Sequence, residues 1–292
     1  MNLQSLEWRA RVLVEGTWSG LHRSPQHGHS QQFKEYRPYS QGDDLRYFDW
    51  KRYAKSEREV VKVFEDETQM NVMFMLDSSA SMYEHYSTSY SKLDYATTMI
   101  ASLAMFCEEK NDRYGLLKFS DEIESLLPCK SGLSHLSQCF AQLERRAQSK
   151  GSDLLQAFQL ILDWQRKPSL IVLVSDLLFE FEPLLQPLQQ LLALGHEIVL
   201  LQILDQREWD FKFEQSAIFE DVETGKHFHI NPDLTRSQYQ QSIQEHQAKW
   251  QQISDQMGLS LQSFFTNEMM SDKLRECFQY RQHLGSLHRV RS

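Results

Sequence analysis

The stretch NVMFMLDSSASM, Asn71 to Met82, decides how this chain is read. Its first half is a short uncharged run of Val, Met, Phe and Leu, the pattern of a strand buried on both faces of a parallel sheet. Its second half sets Asp77, Ser79 and Ser81 at alternate positions. Asp and Ser favour turns, so a polar turn is one reading. The other is a metal site, because hydroxyl and carboxylate oxygens are hard ligands suited to Mg²⁺ or Mn²⁺. Neighbouring oxygens in an octahedral Mg²⁺ shell lie roughly 3 Å apart. Residues i and i+2 of a straight strand lie about 6.5–7 Å apart. A metal site therefore requires the chain to curl directly after Leu76.

Outward from this stretch, strand-like and helix-like segments alternate. Strands are expected at Tyr114–Phe119, Leu170–Val174, Glu197–Leu204 and Leu259–Phe264, with Ile123–Leu127 as a short edge strand. Helices are expected from Ser91, whose S-x-x-D spacing with Asp94 suits an N-terminus, and over Leu133–Ala147 and Asp153–Gln165. Pro183–Leu194 is expected to end at the stop signal Gly195. Ala217–Ile230 reads as a hairpin, Asp233–Met257 as a long, solvated polar helix, and Met269–Gln282 as a last helix. Such alternation predicts an α/β layer fold with a mainly parallel sheet. Ligands of open sheets of this kind sit outside the carboxyl ends of the strands, which is where LDSSASM falls.

The 292 residues include 41 % apolar and 12 % aromatic side chains, enough for a sizeable core, and a formal net charge of −9 argues against a general nucleic-acid binder. Cys107, Cys129, Cys139 and Cys277 show no C-x-x-C spacing and read as free thiols in a reducing compartment. The first residues, MNLQSLEWRARVLVEG, lack the apolar core of a signal peptide and read as a short amphipathic helix. Apolar runs such as LIVLV are too short to span a bilayer. The expected location is the cytoplasm, without membrane insertion.

The metal reading gains from oxygens at neighbouring strand ends. Ser175 and Asp176 close the LIVLV strand, and KGSDLL puts Ser152 before a helix. Each has a plainer role: Ser152 as a helix N-cap, Asp176 as a turn residue. Asp205, also at a strand end, has no motif around it. LDSSASM, the hydroxyl in GSDL and the strand end LVSD together resemble the von Willebrand factor A domain over roughly Asn71 to Phe265. The resemblance implies a Rossmann-like three-layer fold and a metal-ion-dependent adhesion site. It implies that Ser79 and Ser81 bind a divalent ion (Mg²⁺, or Mn²⁺ or Ca²⁺) directly, and that Asp77 and Asp176 bind it directly or through water. Ser152 stands where that family usually has Thr. A partner's acidic side chain would complete the shell, with Met82, Tyr83 and Tyr86 as candidate rim residues that exclude water.

Residues 1–68 differ in composition, being rich in Arg, Tyr, Gln and His. Gly42-Asp43-Asp44 reads as a tight turn, surrounded by Arg37, Arg46, Asp49 and Trp50 with Tyr39, Tyr47 and Phe48 between. This mixture predicts a loop held by ion pairs packed on rings, or a binding surface. The pattern R-x-Y-x-x-G-D-D-x-R-x-x-D-W ahead of an A domain closely resembles the bacterial domain-of-unknown-function 58 family. That resemblance implies work with a MoxR-type AAA+ ATPase in maturing or remodelling client proteins. The expected domains are an extension over 1–68 and the A-like domain over 69–285.

Enzyme signatures are sparse. Ser79 stands where a phosphoryl-transfer enzyme would want a second acid, no G-x-x-x-x-G-K-S/T loop is present, and no G-x-S-x-G elbow occurs. His227 and His229 share a strand face, but no HExxH or nearby Cys supports zinc. The expected function is a non-catalytic protein-binding module. The alternative is a metal-dependent hydrolase of phosphate esters, with His85 or Glu84 as base.

Overall fold

A computed structural model describes residues 5–18, 32–56, 58–65, 69–84, 86–146, 151–211, 217–220, 227–230 and 232–275. The chain divides by packing into two units, Met1–Leu21 with Met70–Ser292, and His22–Gln69. In chain order the elements are α1 (Leu6–Trp18), β1 (Gln32–Pro38), α2 (Trp50–Ser56), β2 (Val60–Glu65), β3 (Asn71–Asp77), α3 (Lys92–Glu109), β4 (Arg113–Phe119), β5 (Ile123–Lys130), α4 (Leu133–Glu144) and α5 (Leu154–Trp164). They continue with β6 (Leu170–Ser175), α6 (Glu182–Ala193), β7 (Glu197–Leu204), α7 (Gln206–Asp210), β8 (Ala217–Glu220), β9 (His227–Ile230), α8 (Pro232–Met257) and β10 (Ser260–Phe265).

The larger unit is built on a six-stranded sheet of order β10-β7-β6-β3-β4-β5. Every neighbouring pair is parallel except β4 and β5. The chain lays β3, β4 and β5 in one direction, then returns to β6 on the other side of β3 and builds outward through β7 and β10. This is a doubly wound, Rossmann-like order, and its switch point lies between the carboxyl ends of β3 and β6. The mainly parallel von Willebrand A-like α/β fold is therefore present, with β5 as its antiparallel edge. Pro128 is tolerated in β5 because an edge strand need not donate at every position.

Alternation along β3 shows why its sequence has no polar face. Val72, Phe74 and Leu76 point into one core, with Leu6, Ala10 and Val14 of α1, the apolar face of α3, and Cys139 and Leu143 of α4. Met73 and Met75 point into the other, with Phe158 of α5, Leu188 of α6 and Trp250 of α8. Each fully buried side chain of this kind stabilises the fold by roughly 1.5–3 kcal/mol. Between the strands, Gly115 leaves room for a close approach: a Cβ there would lie 2.6 Å from the Leu127 carbonyl oxygen and 2.9 Å from Met73 Cε. The β4–β5 register shifts beside it, between Tyr114 and Leu116.

Two expectations change here. The amphipathic start is a helix, but α1 packs into the larger unit, so residues 1–68 are not one extension. The apolar stripe Leu6, Ala10, Val14 finds its partner on the sheet unit. Helix α8 is polar by composition, yet Trp250 is buried in the sheet's core, so only part of α8 is solvated. The expected helix Met269–Gln282 is helical over residues 270–275; the rest, with Cys277 and the Glu223–Lys226 turn of the hairpin, lies outside the described residues. Cys107, Cys129 and Cys139 are unpaired thiols. Among the described residues no helix is long and apolar enough to cross a membrane.

The smaller unit pairs β1 with β2 antiparallel. Its motif residues form the expected network. Arg37 donates to Asp43 at 2.6 Å, and the Ser40 N–H donates to the same carboxylate at 2.8 Å. Asp44 caps the short turn Leu45–Tyr47 and receives two guanidinium bonds from Arg46. The buried Asp49 accepts from the Tyr36 hydroxyl at 3.1 Å and from the Arg52 N–H at 3.0 Å. Phe48 packs against the rings of Tyr39, Trp50 and Tyr53. The Asp43 carboxyl is held below the usual range, first by the Ser40 N–H and then by Arg37.

Candidate functional site

β3 runs through Asp77, and the chain curls after Ser78, slightly later than a bend directly after Leu76. Ser79 leads into the tight turn Ala80–Tyr83, and this brings the Ser79 and Ser81 hydroxyls within 3.2 Å of each other. Ser78, between Asp77 and Ser79, points elsewhere: its N–H donates to the Phe119 carbonyl at 2.8 Å and extends the β3–β4 ladder. Met82 follows into the core and is fully buried. It is no rim residue; the turn rotates it inward. Tyr83 packs partly against the same core, and Tyr86 is the more exposed of the expected rim aromatics.

Asp77 is the centre. It is fully buried at the end of β3 and accepts the Ser79 N–H at 2.9 Å, the Ser152 hydroxyl at 3.2 Å and the Ser175 hydroxyl at 2.7 Å. Burial, and next the negative charge of Asp176, push its carboxyl up to about 6, against the pull of the Ser79 and Ser175 bonds. Ser152 does not cap its helix. That role goes to Asp153, which accepts the Gln156 N–H at 2.9 Å, and the Ser152 hydroxyl is left to face Asp77.

Asp176 lies at the end of β6, across the switch point. Its neighbour Leu177 has a left-handed backbone, φ 58°, a conformation uncommon outside Gly, Asn and Asp. Its surroundings hold it there. The Leu177 N–H donates to Ser175 Oγ at 2.9 Å, and its carbonyl accepts His246 Nε2 at 2.8 Å and Trp250 Nε1 at 3.0 Å. Helix α8 thus braces the strand end that carries Asp176.

One Asp176 oxygen is already engaged. Lys92 Nζ donates to Asp176 Oδ2 at 2.9 Å and to Glu208 Oε2 at 3.0 Å. Burial works against the ammonium, but Asp176 and Glu208 outweigh it and hold Lys92 above its usual pKa. Burial raises Glu208 despite that pairing. Neither Lys92 nor Glu208 belongs to the expected set, although one signal for Lys92 was readable. A lysine in the first turn of a helix opposes the helix dipole.

Asp205 has a structural task. It caps α7 through the Arg207 N–H at 2.8 Å and fastens the loop before α3 through the N–H groups of Tyr86, at 3.2 Å, and Ser87, at 2.8 Å.

The donors fit a small divalent ion in chemistry and spacing. The Ser79–Ser81 and Asp77–Ser152 oxygen pairs, both 3.2 Å, are close to an octahedral edge. All five expected residues come from three loops at one end of the sheet. Among the described residues no three His, Cys, Asp or Glu side chains are grouped to hold a metal, so hydroxyls would have to supply much of the shell. Of the two bases considered for hydrolysis, His85 lies outside the described residues and Glu84 lies beside Tyr86, raising the pKa of its phenol after burial.

A family model described as "Protein of unknown function DUF58" matches residues 35–249. The uncharacterized protein Rv1480 of Mycobacterium tuberculosis is 24 % identical over 251 residues, covering 84 % of this chain and 78 % of its own. Among solved structures, an aerotolerance-related membrane protein from Bacteroides fragilis is 16 % identical with a TM-score of 0.48, covering 72 % of this chain and 97 % of that one. The conserved hypothetical protein BatB from Bacteroides thetaiotaomicron is 13 % identical with a TM-score of 0.47, covering 72 % and 98 %.

Proposed function

The chain belongs to the DUF58 family, and from that premise we propose that it is a non-catalytic protein-binding module that captures an acidic side chain of a partner protein through a divalent cation. Asp77, Ser79, Ser81 and Ser152 would hold the ion, with Asp176 completing the arrangement through a water or through Oδ1, which also accepts the Leu178 N–H at 3.4 Å. Mg²⁺ suits the donors, as do Mn²⁺ and Ca²⁺. A bound ion supplies Lewis-acid attraction for an incoming carboxylate. The chain's own residues do the rest. Ser175 and the Ser79 N–H orient Asp77, α8 fixes the β6 end, and Tyr86 limits water at the opening.

The observation that supports this reading is the meeting of five oxygen-bearing residues from three loops at the sheet's switch point. The module would work in the cytoplasm with a MoxR-type AAA+ ATPase in protein maturation or remodelling. The non-catalytic reading is preferred because the hydroxyls near Asp77 are engaged with that carboxylate or with one another.

The test is a pull-down from the source cell with Mg²⁺ or with EDTA, for wild type and Asp77→Ala. An AAA+ ATPase should be retained by wild type in Mg²⁺ and lost in the other arms. Equal retention in every arm removes the metal from the mechanism. Turnover of a generic phosphoester with Mg²⁺, lost in Asp77→Ala, would instead favour the hydrolase.

A further inference from the structure

Lys92, with its partner Glu208, stands at the site outside the donor set. It is the first residue of α3 and almost wholly buried, with a side-chain exposure of 1 %, and its two carboxylate partners come from separate elements, the β6 end and α7. Taking an ammonium out of water is costly unless it is paired and hydrogen-bonded, and here it meets both partners within about 3 Å. A cavity of about 10 Å³ beside it, bordered by Asp176, Asp205, Glu208 and Trp209, is close to the smallest space that holds one water.

We propose that Lys92 is a built-in cation that sets how tightly the site takes a divalent ion, by occupying one oxygen of Asp176 and cancelling part of the site's negative charge. The inference rests on the reading that a divalent ion binds beside Asp77. With Asp77, Asp176 and Glu208 ionised, Lys92 leaves a net formal charge of −2. Without it the same cluster carries −3, and a divalent ion is drawn in more strongly. Glu208 acts in the opposite sense. It shares the ammonium with Asp176, so its loss leaves Lys92 wholly on Asp176 and lowers the negative charge. Because Glu208 sits on α7, whose cap Asp205 also ties down the loop at Tyr86 and Ser87, a displacement of α7 would reach the ion through Lys92. Affinity at the site would then depend on an element that contributes no ligand.

The experiment is a Mn²⁺ titration followed by electron paramagnetic resonance on the full chain, with Mg²⁺-dependent thermal melts as a second reading. Lys92→Met should bind about tenfold more tightly than wild type, Glu208→Gln about tenfold more weakly, and the double variant, with the net charge restored, close to wild type. Lys92→Met leaves two carboxylates facing each other. Where it fails to fold, Glu208→Gln and the double variant carry the comparison, since neither leaves an uncompensated pair. Wild-type binding unchanged in all variants overturns the role of Lys92 and leaves the proposed function standing. Absence of Mn²⁺ binding in both wild type and Lys92→Met rejects the site, and the inference with it. Binding by Lys92→Met alone supports Lys92 as the resident cation and overturns the proposed function.

Discussion

Asp77→Asn separates stored charge from simple packing. The Asp77 carboxyl is raised from 3.8 to about 6, so at ~1.4 kcal/mol per pH unit keeping it ionised in the metal-free fold costs about 3 kcal/mol. The folded value lies above the unfolded one. Between about pH 4 and 6 the native state therefore holds a proton that the unfolded chain has lost, and stability falls as pH rises through that window. The amide preserves the shape. Its oxygen still accepts the Ser79 N–H and the Ser152 hydroxyl, and its nitrogen faces Ser175 Oγ, which accepts in turn. The hydrogen-bond loss is then about 1 kcal/mol. In EDTA at pH 7.5, Asp77→Asn should be more stable than wild type by about 2 kcal/mol in urea denaturation, with that advantage gone near pH 4 and the hydrogen-bond loss of about 1 kcal/mol showing below it. Mg²⁺ at a hundred times its dissociation constant should add about 2.7 kcal/mol to wild type and much less to the variant. A variant less stable than wild type by the same margin at both pH values would refute the reasoning. So would an equal Mg²⁺ gain in the two proteins.

Ser152→Thr keeps the hydroxyl that faces Asp77 and should hold Mn²⁺ within about threefold of wild type, whereas Ser152→Ala should lose about tenfold, both read by titration. Gly115→Ala forces a Cβ against the Leu127 carbonyl and should destabilise by about 2 kcal/mol or more in a denaturant melt. Asp205→Ala removes the acceptor for the Tyr86 and Ser87 N–H groups; each such part-buried bond is worth roughly 0.5–1.5 kcal/mol. Amide exchange should rise at Tyr86 and Ser87 while β3 and β6 stay protected.

The sheet was legible because its strands are buried on both faces, so the apolar runs of β3 and β6 stand out without alternation. β5 was expected as a short edge strand over Ile123–Leu127 and runs on through Pro128 to Lys130. The convergence of Asp77, Ser152 and Asp176 was legible only as an expectation, since it depends on which strands lie side by side. What could not be read depends on contacts rather than on period. Met82 follows two serines and looks exposed until the turn carries it inward. Ser152 and Asp153 are both good caps, and only the loop's path decides between them. Glu208 has no local signature, because its role comes from Lys92, distant in sequence. Trp250 shares its face of α8 with Ile253 and Met257, a stripe too sparse among the glutamines to mark a buried face.

The position after Asp176 is pulled two ways. Its backbone favours glycine, at a conformational cost of order 1–3 kcal/mol for any other residue, while its side chain is buried among Trp250, Leu188 and their neighbours. Glycine there would relax the peptide and empty the core; a β-branched residue would fill the core and sharpen the conflict. Leu177 is the compromise, and it leaves this corner little freedom to drift.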